Sequence, residues 1–330
     1  MRIDFFFARW LLAAAVSLCL AACASMPSVV KPSLDLAGAT GRWTARDGSE
    51  FPCRAWLPKG QEPVGVVVGV HGLSGATCDF QNLGESMRRH GLAFYAYELR
   101  GQGNDPVKER IGDIPSARWW IEDLRSFDSL VRQRHPGQPV IWLGESLGSL
   151  IICSTVAHRP PKERPGALVL VSPIPGFDER VGLIRRQFVG LSAMADPTLR
   201  IPLSDWARQD TQAWQMTGQS NHLDQLTRTP WAVDAFTLRF YHQLAIMIGR
   251  MEPQAGGIEQ PTLVLHAGHD VFARGDLVKD FVARLPHGEV HCYPDSHHLL
   301  FYDRDREQVV RDITHWCLER SAEIPKRKSS

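Results

Sequence analysis

The 330-residue chain has almost no charge imbalance: 37 lysines and arginines stand against 36 aspartates and glutamates. A surface without an excess of either sign offers no electrostatic footprint for nucleic acid or another polyanion. Internal repeats are missing too, which excludes solenoids and propellers. The apolar stretch Trp10–Leu20 falls well short of the ~20 residues a membrane-spanning helix needs. Cysteines are few, seven in all, and they make no CxxC pair. His266, His269, Asp270, His291, His297 and His298 match no metal-ligand spacing on a helix, so no metal and no cofactor are expected.

What is present begins with a processing signal. Arg2 and Arg9 precede the Trp10–Leu20 run, which ends in Leu20-Ala21-Ala22-Cys23. This order resembles the bacterial lipobox, and residues 1–22 are read as a lipoprotein signal peptide. The resemblance implies cleavage before Cys23, acylation of Cys23 and attachment to the cell envelope. Ala24 after the cysteine implies the outer membrane, facing the periplasm. Removing residues 1–22 takes two arginines and one aspartate and leaves a formal charge of zero. Five cysteines then remain unlipidated: Cys53, Cys78, Cys153, Cys292 and Cys317. An oxidising compartment permits a disulfide among them, but small buried hydrophobes are the simpler reading.

Residues 23–40 carry Ser, Pro, Ala and Gly without periodicity and are read as a lipidated tether. Residues 41–58 predict a hairpin turning at Asp47-Gly48. From there to residue 320 strands and helices alternate. Expected strands are 64–70, 92–97, 140–143, 167–171, 262–266 and 289–293. Expected helices are 78–90, 116–134, 147–157, 276–285 and 304–320. The strands are apolar and β-branched, as strands covered on both faces must be. Such alternation predicts an α/β fold with a mainly parallel sheet between helices. Between about 174 and 260 the rhythm breaks into amphipathic helical stretches, including 231–248, which read as an inserted helical cap. Residues 321–330 read as a flexible tail.

Gly144-Glu145-Ser146-Leu147-Gly148 is the sharpest chemical signal. The G-x-S-x-G pattern follows a strand and opens a helix, the setting that turns it into a nucleophile elbow. A serine nucleophile needs a base, and the base needs an orienting acid. Asp270 follows the strand at 262–266, where the acid belongs, while Asp295 would share the base's own loop. His298 and His297 are both placed to serve as base; His291 lies within a strand. An oxyanion hole requires two convergent backbone N–H groups. Leu147, next to the nucleophile, supplies one candidate, and Leu73, in His71-Gly72-Leu73-Ser74-Gly75, the other. His71 is read as a prop for that loop.

Over residues 41–320 the chain resembles the monoacylglycerol lipase and lysophospholipase branch of the α/β-hydrolases, grouped with the serine aminopeptidase-like hydrolases. His71-Gly72 matches that branch's HG motif, and residues 98–103, ELRGQG, resemble its D-x-R-G-x-G loop with Glu98 for Asp. GESLG at 144–148 stands where members carry GHSMG or GESMG. Residues 293–298, YPDSHH, resemble a loop whose last His is catalytic, which favours His298. The resemblance implies an eight-stranded α/β-hydrolase fold, a Ser146-His298-Asp270 triad and an acyl-ester substrate such as a monoacylglycerol or lysophospholipid. Besides Glu98, Ser149 departs from the pattern, standing where a second Gly is common. Two other readings remain: an aminopeptidase-like enzyme, with Asp205, Asp210, Asp224 or Asp234 of the cap taking a substrate amino group, and a catalytically inactive lipid-anchored binding protein.

Overall fold

A computed structural model describes residues 30–176, 193–205 and 214–324. The last helix, Arg306–Glu323, runs three residues into the expected tail; Cys23 and the tail from 325 lie outside the described residues, as do Asp210 and part of the expected cap.

One nine-stranded sheet organises the chain. Its strands are β1 (Ser33–Ala37), β2 (Thr40–Thr44), β3 (Glu50–Trp56), β4 (Gly65–Val70), β5 (Leu92–Tyr97), β6 (Val140–Glu145), β7 (Ala167–Val171), β12 (Thr262–Ala267) and β13 (Gly288–Tyr293). β8 to β11 are short cap strands, given below. The spatial order is β1-β2-β3-β5-β4-β6-β7-β12-β13. β1, β2, β3 and β5 pair antiparallel, and every pairing from β5 to β13 is parallel.

The sheet has nine strands rather than the expected eight because a strand lies within residues 23–40, the segment read as a tether. Ser33–Ala37 pairs with β2 in register, Leu34 opposite Trp43, and buries Leu34. A five-residue edge strand with exposed alternate positions leaves little compositional trace. The hairpin turn at Asp47-Gly48 is where the sequence puts it, with Gly48 at φ +81°.

β4, β5, β6, β7 and β12 are buried along their whole length, which is why they read as continuous apolar runs. One face packs on the helices Arg118–Arg134 and Leu147–Ala157, around Trp43, Trp120, Phe127 and Trp142. The other packs on Gln81–Arg89 and Arg306–Glu323, around Trp56, Phe80, Phe94 and Trp316. Cys53, Cys153 and Cys317 are buried in these two layers, and all five described thiols are free.

The described part of the cap is only partly helical. β8 (Arg200–Pro202) pairs with β11 (Ala235–Thr237), and β9 (Gln215–Thr217) with β10 (Ser220–Asn221). Residues 231–248 are therefore not one helix. The helix spans Leu238–Gln254, and Thr237 ends β11 and caps it, its Oγ1 accepting the Phe240 N–H at 3.2 Å.

Candidate active site

The carboxyl ends of β6, β7, β12 and β13 lie side by side. Glu145 is level with Val171, Val171 with Leu265, and Ala267 with Tyr293. Loops leaving these ends converge on one place, as open α/β sheets arrange their sites.

β6 delivers the first group. Its chain turns at Ser146, held at φ +48° and ψ −108°, before the Leu147–Ala157 helix starts. A non-glycine residue at such angles is strained, and the surroundings must hold it there. The Ser146 N–H donates to the Val171 carbonyl at 2.9 Å. The flanking glycines permit the turn. A Cβ on Gly148 would sit 2.0 Å from the Val70 carbonyl oxygen, and one on Gly144 2.5 Å from the Gly148 carbonyl carbon. Ser149 finds a structural use here, its hydroxyl donating to the Gly144 carbonyl at 2.8 Å.

His298, from the loop after β13, brings its Nε2 to 3.0 Å from the Ser146 hydroxyl. On its other side Nδ1 donates to Asp270 Oδ2 at 2.8 Å. Asp270, in the loop after β12, accepts the Phe272 and Ala273 N–H groups on Oδ1 at 2.8 and 3.2 Å. Burial pushes the Asp270 carboxyl up, but attraction to His298, the hydrogen bond to it and those two N–H groups outweigh burial and leave it lowered. An acceptor held ionised beside Nδ1 fixes the tautomer that leaves Nε2 free to take a proton. Phe272 lies edge-on against the His298 ring, and Trp214 against Phe272, so the pair is sheltered by aromatic carbon.

The competing residues are engaged elsewhere. His297 turns to Asp303, giving it both its N–H, at 2.6 Å, and an Nδ1 contact at 2.9 Å. Asp295 is exposed and faces Arg304 at 3.7 Å. His291 is half-exposed on β13, 4.0 Å from Asp312. The structure thus brings Ser146, His298 and Asp270 together and leaves His297, His291 and Asp295 outside.

The loop after β4 lies against the elbow. A Cβ on Gly72 would sit 3.5 Å from the Ser146 Cβ. Every turn of this loop is tied down. His71 Nδ1 donates to the Gly72 carbonyl at 2.9 Å, and its Nε2 accepts the Leu99 N–H at 3.0 Å, the propping role expected of it. The Ser74 N–H donates to Gln102 Oε1 at 2.9 Å, and the Ala76 N–H to Asp79 Oδ2 at 2.7 Å. Thr77 donates its N–H and its hydroxyl to Glu98 Oε1, at 3.0 and 2.6 Å. Glu98 thus supports the loop by a longer side chain than Asp would supply. Arg100 rivets the ELRGQG segment beneath it, donating to both Asp123 oxygens at 2.9 Å and to Asp47 at 2.7 Å. Leu147 opens its helix, and no acceptor among the described residues takes its N–H or that of Leu73.

Three further side chains at this site lie outside the expected triad and oxyanion hole. Glu145 is buried, and its Oε1 has no partner among the described residues. Burial first, then the nearness of Asp79, push its carboxyl up to about 8, against a Gly72 N–H bond that lowers it. Asp79 is itself raised by burial, although the Tyr302 hydroxyl donates to its Oδ1. Asp79 comes from the short helical turn Thr77–Phe80, Glu145 from the end of β6 and Tyr302 from the loop after β13, and no short motif joins the three.

Comparison with known proteins places the chain in a family and a fold. The family described as Serine aminopeptidase, S33 matches residues 61–305. A monoacylglycerol lipase of Mycolicibacterium smegmatis is 24% identical over 277 residues, covering 80% of this chain and 91% of its own. A phospholipase of Bacillus subtilis is 25% identical over 278 residues, covering 78% and 96%. Among solved structures, a soluble variant of monoglyceride lipase from Saccharomyces cerevisiae with a substrate analogue superposes at a TM-score of 0.71. It is 17% identical and covers 91% of this chain and 97% of its own. The fold is therefore the α/β-hydrolase fold expected from the sequence.

Proposed function

We propose that this chain, which belongs to the serine aminopeptidase S33 family and is an ester-hydrolysing serine hydrolase, cleaves acyl esters such as monoacylglycerols or lysophospholipids through Ser146. The observation that carries the proposal is the unbroken series Ser146 Oγ, His298 Nε2, His298 Nδ1, Asp270 Oδ2, at 3.0 and 2.8 Å. Ser146 attacks the ester carbonyl while His298 takes its proton. Asp270 holds the imidazole tautomer and stabilises the imidazolium. The oxyanion is met by the N–H groups of Leu73 and Leu147. His298 then protonates the leaving alcohol, and water hydrolyses the acyl-enzyme by the same steps reversed.

The lipid-like substrate is supported by the named activities of the relatives and by the aromatic cover of Phe272 and Trp214 over the triad. A peptidase would need a free carboxylate for a substrate ammonium. Two of the cap candidates are committed elsewhere: Asp224 forms a capping box with Asn221, and Asp234 accepts the Ser204 N–H and hydroxyl, both at 2.7 Å. Acylation at Cys23 completes the proposal, holding the hydrolase at a periplasmic membrane face where acyl esters are presented.

Wild type should react with a fluorophosphonate probe and hydrolyse p-nitrophenyl acyl esters in preference to amino-acid p-nitroanilides. Ser146→Ala should fold but lose both reactions. Full labelling of that variant would remove Ser146 from the role, and a preference for anilides would replace the esterase reading with the peptidase one.

A further inference from the structure

Leu73 stands between Gly72 and Ser74. Ser74 sits at φ +55°, one of three non-glycine residues with positive φ among the described residues, with Ser146 and Ser172. A left-handed serine is strained, so something must hold it. What holds it is not the sheet alone. Its N–H donates to Gln102 Oε1, while its hydroxyl reaches the cap, donating to the Val233 carbonyl at 2.8 Å and accepting the Val233 N–H at 3.2 Å. One hydroxyl thus closes both hydrogen-bonding groups of a single cap residue 159 positions away.

Val233 belongs to a segment pressed onto the same place. It is buried, and its neighbour Trp231 approaches so closely that a Cβ on Gly103 would fall 1.8 Å from the Trp231 carbonyl oxygen. Asp234 binds Ser204, its carbonyl accepts the Leu203 N–H at 2.7 Å, and the chain continues into β11, paired with β8. The Ser74 hydroxyl is therefore the polar clasp between the cap's inner segment and the residue that follows Leu73.

We propose that Ser74 is a positioning residue that makes the aim of the Leu73 N–H depend on the seating of the cap segment 231–234. This rests on the proposed role of Leu73 in the oxyanion hole. With the cap seated, the clasp and Gln102 fix the 73–74 peptide, and with it the backbone angles of Leu73. When that segment lifts, the left-handed turn at Ser74 loses its support and the N–H swings off the carbonyl oxygen's position. A loop error near 1 Å at a reacting group is enough to cost on the order of a hundredfold in rate. The hydrolase would thus reach full competence only when the cap is seated.

The test compares wild type, Ser74→Ala and Ser74→Gly, the glycine removing the clasp without left-handed strain. For a p-nitrophenyl acyl ester, kcat should fall by tenfold or more in both variants while KM stays within about twofold. The inhibition constant of an alkyl trifluoromethyl ketone, which forms a tetrahedral adduct, should rise by the same factor as kcat/KM falls, since both report oxyanion stabilisation. Gly103→Ala, which displaces Trp231, should reproduce the loss and add little to it when combined with Ser74→Ala. A merely structural serine would lower the melting temperature without moving the ketone's affinity relative to KM. Unchanged kcat and ketone affinity in both Ser74 variants would overturn the clasp. Failure of wild type to label at Ser146 would overturn the hydrolase reading and the clasp with it.

Discussion

The Ser172 hydroxyl donates to the His298 backbone carbonyl at 2.6 Å, across 126 positions of the chain. Ser172 follows β7, stands at φ +46°, and donates its own N–H to the Leu265 carbonyl at 2.8 Å. The base-bearing loop is thereby fastened to the strand whose last carbonyl, that of Val171, also fixes the nucleophile's N–H.

Replacing Ser172 by alanine leaves the His298 carbonyl with the Leu300 N–H, at 3.1 Å, and costs about 0.5–1.5 kcal/mol of stability for the bond lost. The His298 ring should also lose its alignment with Ser146. We expect kcat to drop several-fold with KM little changed, measured alongside a thermal melt. An unchanged kcat at a lowered melting temperature would limit the bond to a stabilising role.

His298→Ala and Asp270→Asn should each lower kcat by orders of magnitude, as losses within a triad do. His297→Ala and Asp295→Asn should cost less than tenfold, since those side chains serve Asp303 and Arg304. The kcat values of the four purified variants, with circular dichroism to confirm folding, decide this. An inactive His297 variant would shift the base by one residue and leave Ser146 in place.

Glu145 links proton binding to stability. Its folded value near 8 lies above the ordinary 4.5, so between those values the folded chain holds a proton that the unfolded chain has released. Stability from this group is present below about pH 4.5 and is lost as pH rises toward 8, with a slope of up to about 1.4 kcal/mol per pH unit. Glu145→Gln, neutral throughout, should flatten that decline. Denaturant melts of both proteins from pH 5 to 8.5 read it directly, and parallel curves would show that Glu145 titrates normally.

Cys23→Ala should abolish labelling by radioactive palmitate and leave the chain with its leader or free in the periplasm. Undiminished incorporation in that variant would place the acyl group elsewhere.

The core strands were legible because their burial is two-sided and their composition follows from it; 92–97 and 167–171 match residue for residue. The elbow was legible because one motif fell between a strand and a helix. β1 escaped because an exposed edge strand of five residues is barely distinguishable from a tether. The β11 strand and the helix start at Leu238 escaped because Thr237 reads as one more polar position in an amphipathic run until its hydroxyl is seen capping Phe240. The choice of His298 over His297 rested on resemblance, and in space it turns on Asp303, which no local pattern connects to His297. Asp79, Glu145, Tyr302, Ser74 and Ser172 share this property: each acts through a partner brought near only by the fold.

Under the proposed acylation of Cys23, the early start of β1 shortens the leash. Only nine residues separate Cys23 from Ser33. Fully drawn out, that length of chain reaches about 35 Å, whereas a domain of this size is about 50 Å across. A hydrolase acylated at Cys23 would therefore never stand clear of its own membrane by more than its own breadth. Its substrates would be gathered by lateral diffusion within one leaflet, and its turnover would scale with their surface density rather than with their concentration in the surrounding water.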